Sequence, residues 1–271
     1  MSELDPEAFL QRYGPWAVVL GAGQGLGRAF AHALAARGLN LLLVDQRPDS
    51  LEQVRAELGR AHEVQVRTAE VDLAAPGVAG SLEAAASELD VGLVVYTAMI
   101  SLVGPFLDQA LERHLQLVGV GCRGVLVAAH RFGSALRQRG RGGLILTSSL
   151  AGFQGTGWVA SYSACKAFDL ALAEALWWEL RPHGVDVLAL APGSTETPGL
   201  MQHRPHLDPA ALQSPEEVAA EALSALGRQP LLVSGEDNRR LRQALEALPR
   251  QQLVELMGEQ TRRQFEPEGG A

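Results

Sequence analysis

In Trp16-Ala17-Val18-Val19-Leu20-Gly21-Ala22-Gly23-Gln24-Gly25-Leu26-Gly27, five apolar residues run straight into four glycines. The apolar run reads as a short strand. Helical spacing follows from about Gly25 to Arg37, with Leu26, Phe30, Ala33 and Leu34 recurring on one side. Gly38 closes that helix, as glycine does at a C-terminus. Glycines between a strand and a helix let the backbone turn tightly and approach a pyrophosphate, whose charge the helix N-terminus favours. A plain strand–helix turn would use the same residues. Their place after the first strand favours dinucleotide binding over that reading.

Outward from this stretch the same alternation continues. Leu39–Asp45 is an apolar run too short for a free-standing helix and typical of a strand buried on both faces. Further strands are expected at Val64–Val71, Gly92–Thr97, Gly143–Ser148, Val185–Ala191 and Pro230–Ser234. Helices are expected at Leu51–Leu58, Val78–Leu89, about Leu107–Arg139, Val159–Arg181, Pro215–Leu226 and about Asn238–Arg263. Regular alternation of this kind implies an α/β fold, a Rossmann-type doubly wound parallel sheet flanked by helices on both faces. No repeat or Pro/Gly/Ser-rich linker interrupts it, so residues 1–271 read as one domain. The irregular stretch with Pro192, Pro198, Pro205 and Pro209 reads as a substrate loop over 193–214, and a flexible tail is expected after about 264.

Composition narrows the function. The chain has 271 residues, 47 % hydrophobic and 20 % charged, with a net charge of −8. That balance fits a globular protein and argues against a general nucleic-acid or acidic-membrane surface. No apolar run approaches the ~20 residues needed for a membrane span. The start, Met1-Ser2-Glu3-Leu4-Asp5-Pro6-Glu7, lacks a basic, then apolar, signal. Two cysteines, Cys122 and Cys165, read as reduced thiols in a cytoplasmic protein, Cys165 as a small helix-packing residue. The seven histidines form no ligand-like cluster. His130, His183, His203 and His206 read as surface or packing residues, and no metal is expected.

The chemistry concentrates elsewhere. Tyr162 and Lys166 are four residues apart, and Ser149 lies thirteen before the tyrosine. Four residues make about one helical turn, so both side chains share a face. An ammonium near a phenol favours the phenolate, which fits the phenol to exchange a proton with an alcohol near neutral pH. A serine hydroxyl reaching the same point would hold the reacting oxygen. Alone, a Tyr-x-x-x-Lys pair is common on ordinary helices. Asp45, ending the second strand, suits the adenosine ribose hydroxyls of NAD and repels the 2′-phosphate of NADP. Its plainer role is a solvated strand-end acid, and Arg47 close by could instead pair with a phosphate. Asp72 either accepts from an adenine amino group or caps a turn.

Together these pieces resemble the short-chain dehydrogenase/reductase family over nearly the whole chain. The motifs are Gly21-x-x-x-Gly25-x-Gly27, Asp72-Leu73, Thr147-Ser148-Ser149-Leu150-Ala151-Gly152, Tyr162-x-x-x-Lys166 and Pro192-Gly193-Ser194-Thr195-Glu196-Thr197. Tyr13–Val19 and Ala35–Asn40 further resemble the branch holding 17β-hydroxysteroid dehydrogenases and 3-oxoacyl reductases. The resemblance implies an NAD(P)-dependent oxidoreductase interconverting a secondary alcohol and a ketone, with NAD preferred on the strength of Asp45. It implies Tyr162 as acid/base, Lys166 as its support and a ribose ligand, and Ser149 as the substrate-positioning hydroxyl; family spacing selects Ser149 over Ser148. The cofactor would further meet Gly21, Gln24, Gly25, Leu26, Gly27, Asp72, Leu73, Ala98, Pro192, Gly193, Thr195 and Thr197. Met99, Leu150, Gln154, Trp158 and Met201 flank the motifs as pocket candidates, suggesting an apolar substrate such as a steroid or hydroxyacyl compound; each could equally be core packing. Association into a homodimer or homotetramer through the two long helices is also implied.

Three departures stand out. Leu20 replaces the threonine usual before the glycine loop, and Tyr96-Thr97-Ala98-Met99 stands where Asn-Asn-Ala-Gly is usual. By the resemblance, Gly121 takes the place of an asparagine in the family's proton relay. Glycine keeps the main-chain carbonyl, so the relay is compatible with it, or the site is slow or specialised. The rival class is a non-catalytic dinucleotide-binding sensor or structural protein, which Gly121 and Met99 favour and Ser149, Tyr162 and Lys166 oppose.

Overall fold

Successive residues of each apolar run feed two separate cores. Ala17, Val19, Leu41, Leu43, Leu93 and Val95 pack on one side. Val18, Leu20, Leu42, Val44, Val94 and Tyr96 pack on the other. This two-residue alternation between two apolar faces is what a central strand covered on both sides requires. The computed structural model describes residues 5–204, 207–208 and 212–265. Seven strands make up its sheet: β1 Trp16–Leu20, β2 Asn40–Asp45, β3 Val66–Glu70, β4 Val91–Tyr96, β5 Gly142–Thr147, β6 Val185–Ala191 and β7 Leu231–Val233. The order is β3-β2-β1-β4-β5-β6-β7, and every pair is parallel. The chain builds outward from β1 to β3 and then returns to place β4 beside β1. A crevice opens outside the carboxyl ends of strands at such a switch point.

Helices cover both faces. The first is α1, Pro6–Tyr13; then come α2, Gly25–Ala35, α3, Pro48–Ala61, and α4, Val78–Ala86. They are followed by α5, Leu111–Val118, α6, Val125–Arg139, α7, Ala160–Leu180, and α8, Pro198–His203. The last are α9, Pro215–Ala225, α10, Glu236–Glu246, and α11, Arg250–Phe265. Phe30, Leu34, Leu51, Leu58, Val218 and Leu223 put α2, α3 and α9 on one face. Val78, Leu82, Ala128, Phe132, Leu170 and Ala173 put α4, α6 and α7 on the other.

The elements differ from the expected ones in four places. Helix α1 was not foreseen; Asp5 caps it by accepting from the Ala8 N–H at 2.9 Å. It docks by Tyr13, whose buried hydroxyl donates to Asp186 at 2.7 Å. The single helix expected over about Leu107–Arg139 is divided: a 3₁₀ turn at Phe106–Asp108, then α5, a π-helical turn at Gly119–Gly124, and α6. Tyr96 explains the wider turn, because its hydroxyl takes the Val120 carbonyl at 2.7 Å. The helix expected over Asn238–Arg263 is two helices, α10 and α11, parted at Pro249, which cannot continue the hydrogen-bond ladder. Helix α8 lies inside the stretch expected to be irregular; Thr197 caps it through Oγ1, accepting from Leu200 N–H at 3.3 Å, with Pro198 in its first turn. Pro205, His206 and Pro209, the first four residues and the expected tail from Glu266 onward lie outside the described residues. No helix among the described residues is long and apolar enough to cross a membrane.

Candidate active site

The glycine turn sits at the carboxyl end of β1. Gly21 has φ +89°, and a Cβ there would lie 2.6 Å from the Ala98 nitrogen. A Cβ on Gly27 would come to 2.0 Å from the Gly21 carbonyl oxygen. These contacts, between β1, the chain after β4 and the start of α2, leave room for no other residue. Thr97 completes the seal by donating to the Leu20 carbonyl at 3.0 Å. Gln24, ahead of α2, makes no side-chain cap, so the first N–H groups of that helix are left to a ligand.

Asp45 lies beside this turn and is buried. Its Oδ2 accepts from the Gly23 N–H at 3.0 Å, and its Oδ1 meets the Arg47 guanidinium at 3.2 Å. Arg47 also donates to Gln24 Oε1 at 2.8 Å. A cleft of about 430 Å³ opens here, lined in part by Gly23, Gln24, Gly25, Ser50, Glu196 and Pro198. Open helix N–H groups and glycines without side chains at the cleft, one of them held by a strand-end carboxylate, fit a dinucleotide. Asp72 caps its own turn, accepting from the Ala74 N–H at 2.8 Å, and Leu73 is buried in the core. The chain after β6 closes over the same end: Pro192 accepts from the Leu150 N–H at 3.1 Å, and Thr195 bonds the Gly193 carbonyl at 3.2 Å. The Thr197 methyl approaches Gly25, where a Cβ would lie 3.0 Å from it.

The two adjacent serines after β5 separate by role. Ser148 is buried and its hydroxyl donates to the Lys166 carbonyl at 2.6 Å, which ties β5 to α7. Ser149 is half-buried, begins a 3₁₀ turn over Leu150–Phe153, and accepts from the Ala151 N–H at 3.2 Å. Its hydroxyl proton is left for another partner. Tyr162 packs at the edge of a cluster formed by Leu102, Leu117 and Cys165, with Met99, Ile100 and Cys122. The Lys166 Nζ lies 5.8 Å from the Tyr162 ring centroid.

Lys166 is almost wholly buried. It donates to the Thr147 carbonyl at 2.8 Å and to Asp169 Oδ2 at 3.0 Å. Burial alone would lower its pKa; Asp169 and then Tyr162 outweigh that and hold the ammonium above the ordinary lysine range. Burial pushes the Asp169 carboxyl above the ordinary aspartate range, against the pull of Lys166. Asp169 escaped the sequence reading, yet it stands three residues beyond Lys166 and seven beyond Tyr162, on the same helical stripe. That spacing was its available signal.

The pocket candidates divide by surroundings. Trp158 holds φ +66°, unusual for a bulky residue, and its carbonyl accepts from the Gly104 N–H at 2.8 Å. Gln154 is buried and donates to the Leu150 carbonyl at 3.3 Å. Leu150, Met99 and Met201 are half-buried. Gly121 lies in the π turn with helical backbone angles, so packing rather than a left-handed conformation governs it. Arg204, not foreseen, is buried after α8 with its guanidinium 5.1 Å from the Phe265 ring centroid. Among the described residues no His, Cys, Asp and Glu side chains gather as a metal site.

Comparison with known proteins places this geometry. A family model described as short chain dehydrogenase matches residues 15–208. A 7β-hydroxysteroid dehydrogenase of Clostridium sardiniense is 31 % identical over 253 residues, covering 92 % of this chain and 97 % of that one. A very-long-chain 3-oxoacyl-CoA reductase of Phaeosphaeria nodorum is 28 % identical, covering 82 % of this chain and 67 % of that one. A solved structure concerning 7β-hydroxysteroid dehydrogenase stereoselectivity superposes with TM-score 0.87 at 29 % identity, covering 92 % of this chain and 98 % of that one. A short-chain dehydrogenase from Sphingobium yanoikuyae in complex with NADPH gives TM-score 0.74 at 26 % identity, covering 88 % and 97 %.

Proposed function

We infer the reaction from one premise: this chain belongs to the short-chain dehydrogenase/reductase family, enzymes that act on CH–OH groups with NAD(P). The reaction we propose is the interconversion of a secondary alcohol and a ketone on an apolar substrate, a hydroxysteroid or a long hydroxyacyl compound. The relatives named for hydroxysteroids and for 3-oxoacyl thioesters support that substrate class. The observation that carries the chemistry is Lys166, whose ammonium lies 5.8 Å from the Tyr162 ring centroid and donates to the carbonyl of Thr147 at the carboxyl end of β5, two residues before Ser149.

When bound, the nicotinamide supplies or accepts the hydride. Tyr162 exchanges the proton with the substrate oxygen. Lys166, charged and fixed by its neighbours, supports the phenolate. Ser149 donates to the reacting oxygen and orients it. Leu150, Gln154, Trp158, Met99 and Met201 border the substrate side. Ala98, Leu26 and the 192–197 segment line the cofactor side, together with Asp72 and Leu73.

NAD is the preferred cofactor in this reading. The Asp45 carboxylate, beside the cleft at the end of β2, suits ribose hydroxyls and opposes a 2′-phosphate. The chain acts as a homodimer or homotetramer, for which an exposed apolar face on α5 and α7 is the support. Leu111, Leu115 and Val118 recur on one side of α5, and Trp178 on α7 is 70 % exposed.

The test is an NADH-linked screen of hydroxysteroid ketones and 3-oxoacyl thioesters against the purified protein. Turnover of either class is expected. Absence of turnover across both, with cofactor binding intact, would return the chain to a binding role.

A further inference from the structure

We propose that Asp169 is a positioning residue for the active-site lysine, and that its carboxylate sets the pH range of turnover. The proposal rests on the reading above, in which Tyr162 handles the proton and Lys166 supports it.

Tyr162, Lys166 and Asp169 occupy positions i, i+4 and i+7 of α7. A phenol, an ammonium and a carboxylate therefore follow one another along a single helix face. The Lys166 Nζ and Asp169 Oδ2 are 3.0 Å apart, with side chains 4 % and 1 % exposed. An ammonium has three donors. Asp169 and the Thr147 carbonyl take two, which fixes the direction of the third.

The fold supplies no separate reason for a carboxylate here. A buried ion pair adds little net stability over an apolar pair of similar size. Asp169 Oδ1 is buried and has no hydrogen-bond partner, so the carboxylate is held on one side only, by the lysine. Other titratable groups face the pair from three elements. From β4 comes Tyr96, whose hydroxyl is engaged by the Val120 carbonyl. From the π turn comes the Cys122 thiol, and from α7 the Cys165 thiol and Tyr162. These are phenols and thiols; the carboxylate paired with Lys166 is Asp169.

Its effect has a definite sign. At 3.0 Å it holds the lysine charged. Removing the charge makes the first proton loss from the Tyr162–Lys166 pair easier. It also loosens the lysine, which lowers the maximal rate.

The experiment measures alcohol oxidation against pH in Asp169→Asn and Asp169→Ala, alongside cofactor affinity and melting temperature. The rising limb should move toward acid by on the order of one pH unit, with a maximal rate reduced by about tenfold, as one unit of lost transition-state stabilisation gives. Wild-type midpoints in folded variants would overturn the proposal. Failure of both variants to fold would also overturn it, because the carboxylate would then serve the fold. Asp169→Ala gives the reading where Asn alone misfolds. Tyr162→Phe separates this proposal from its premise. Near-wild-type turnover in that variant sinks the premise, whereas an inactive Tyr162→Phe with unmoved Asp169 midpoints sinks the Asp169 role alone.

Discussion

Met99 fills the space that a side chain at Gly121 would need: a Cβ built there lies 2.9 Å from the Met99 sulfur and 3.0 Å from Cys165 Cβ. Two departures from the family pattern are thus one exchange of volume beside Tyr162. The π turn brings the backbone close, and methionine, being flexible, occupies what is left.

Gly121→Asn alone should destabilise the protein by about 1–3 kcal/mol, the usual range for overpacking. Met99→Ala in the same chain should recover part of that loss, because truncation removes the contacts with the methionine end and leaves the one with Cys165 Cβ. Melting temperatures of both singles and the double form a cycle. Additive effects would show that the two positions are not coupled.

The proton chemistry predicts that Tyr162→Phe keeps its fold and cofactor binding but loses most turnover. Only the phenolic hydroxyl is removed, and general acid/base catalysis contributes ~10²–10⁴-fold. A near-wild-type kcat in a preparation free of host enzyme would sink the assignment.

The paired serines should part company. Ser149→Ala should lower kcat with little change in melting temperature, since its hydroxyl caps only the Ala151 N–H. Ser148→Ala breaks a buried bond to the Lys166 carbonyl and should cost about 1 kcal/mol of stability. Equal rate losses in the two would mean that the hydroxyl assignment is misplaced.

Cofactor choice turns on Asp45 and Arg47. Asp45 is engaged by the Gly23 N–H and by the Arg47 guanidinium, so its charge is partly offset before any ribose arrives. NADH should still give the higher kcat/KM on one ketone, and Asp45→Ala should narrow the gap to NADPH. Better use of NADPH by the native chain would mean that Arg47 or Arg28 outweighs the carboxylate.

Much of this was legible before any coordinates. Val185–Ala191 reads as a strand from its sequence and is one, residue for residue, because it is apolar at every position but Asp186 and bounded by glycine and proline. The glycine turn likewise follows from spacing. Other elements hid behind competing signals. Helix α1 is short and polar, so only its docking through Tyr13 reveals it. The π turn depends on a long-range bond from Tyr96, which no local pattern encodes. Helix α8 was hidden in a proline-rich stretch, although Thr197-Pro198 is a helix-start signature. Asp169 was overlooked because a charge in a helical run reads as a solvated face; its burial depends on sheet packing behind α7.

The last prediction concerns assembly. Trp177 is half-buried and lies under the Arg181 guanidinium at 4.9 Å, whereas Trp178 is 70 % exposed. On α5, Leu111, Leu115 and Val118 are 63 %, 59 % and 43 % exposed. Their spacing of four and three residues puts them on one stripe, and an uncovered apolar stripe marks an interaction surface. The native chain should therefore have the mass of a dimer or tetramer by light scattering at micromolar concentration. Leu115→Glu together with Trp178→Glu should shift it toward monomer, because a charge buried in an apolar interface costs several kcal/mol. A monomeric native protein, or an assembly indifferent to both charges, would place the contact elsewhere.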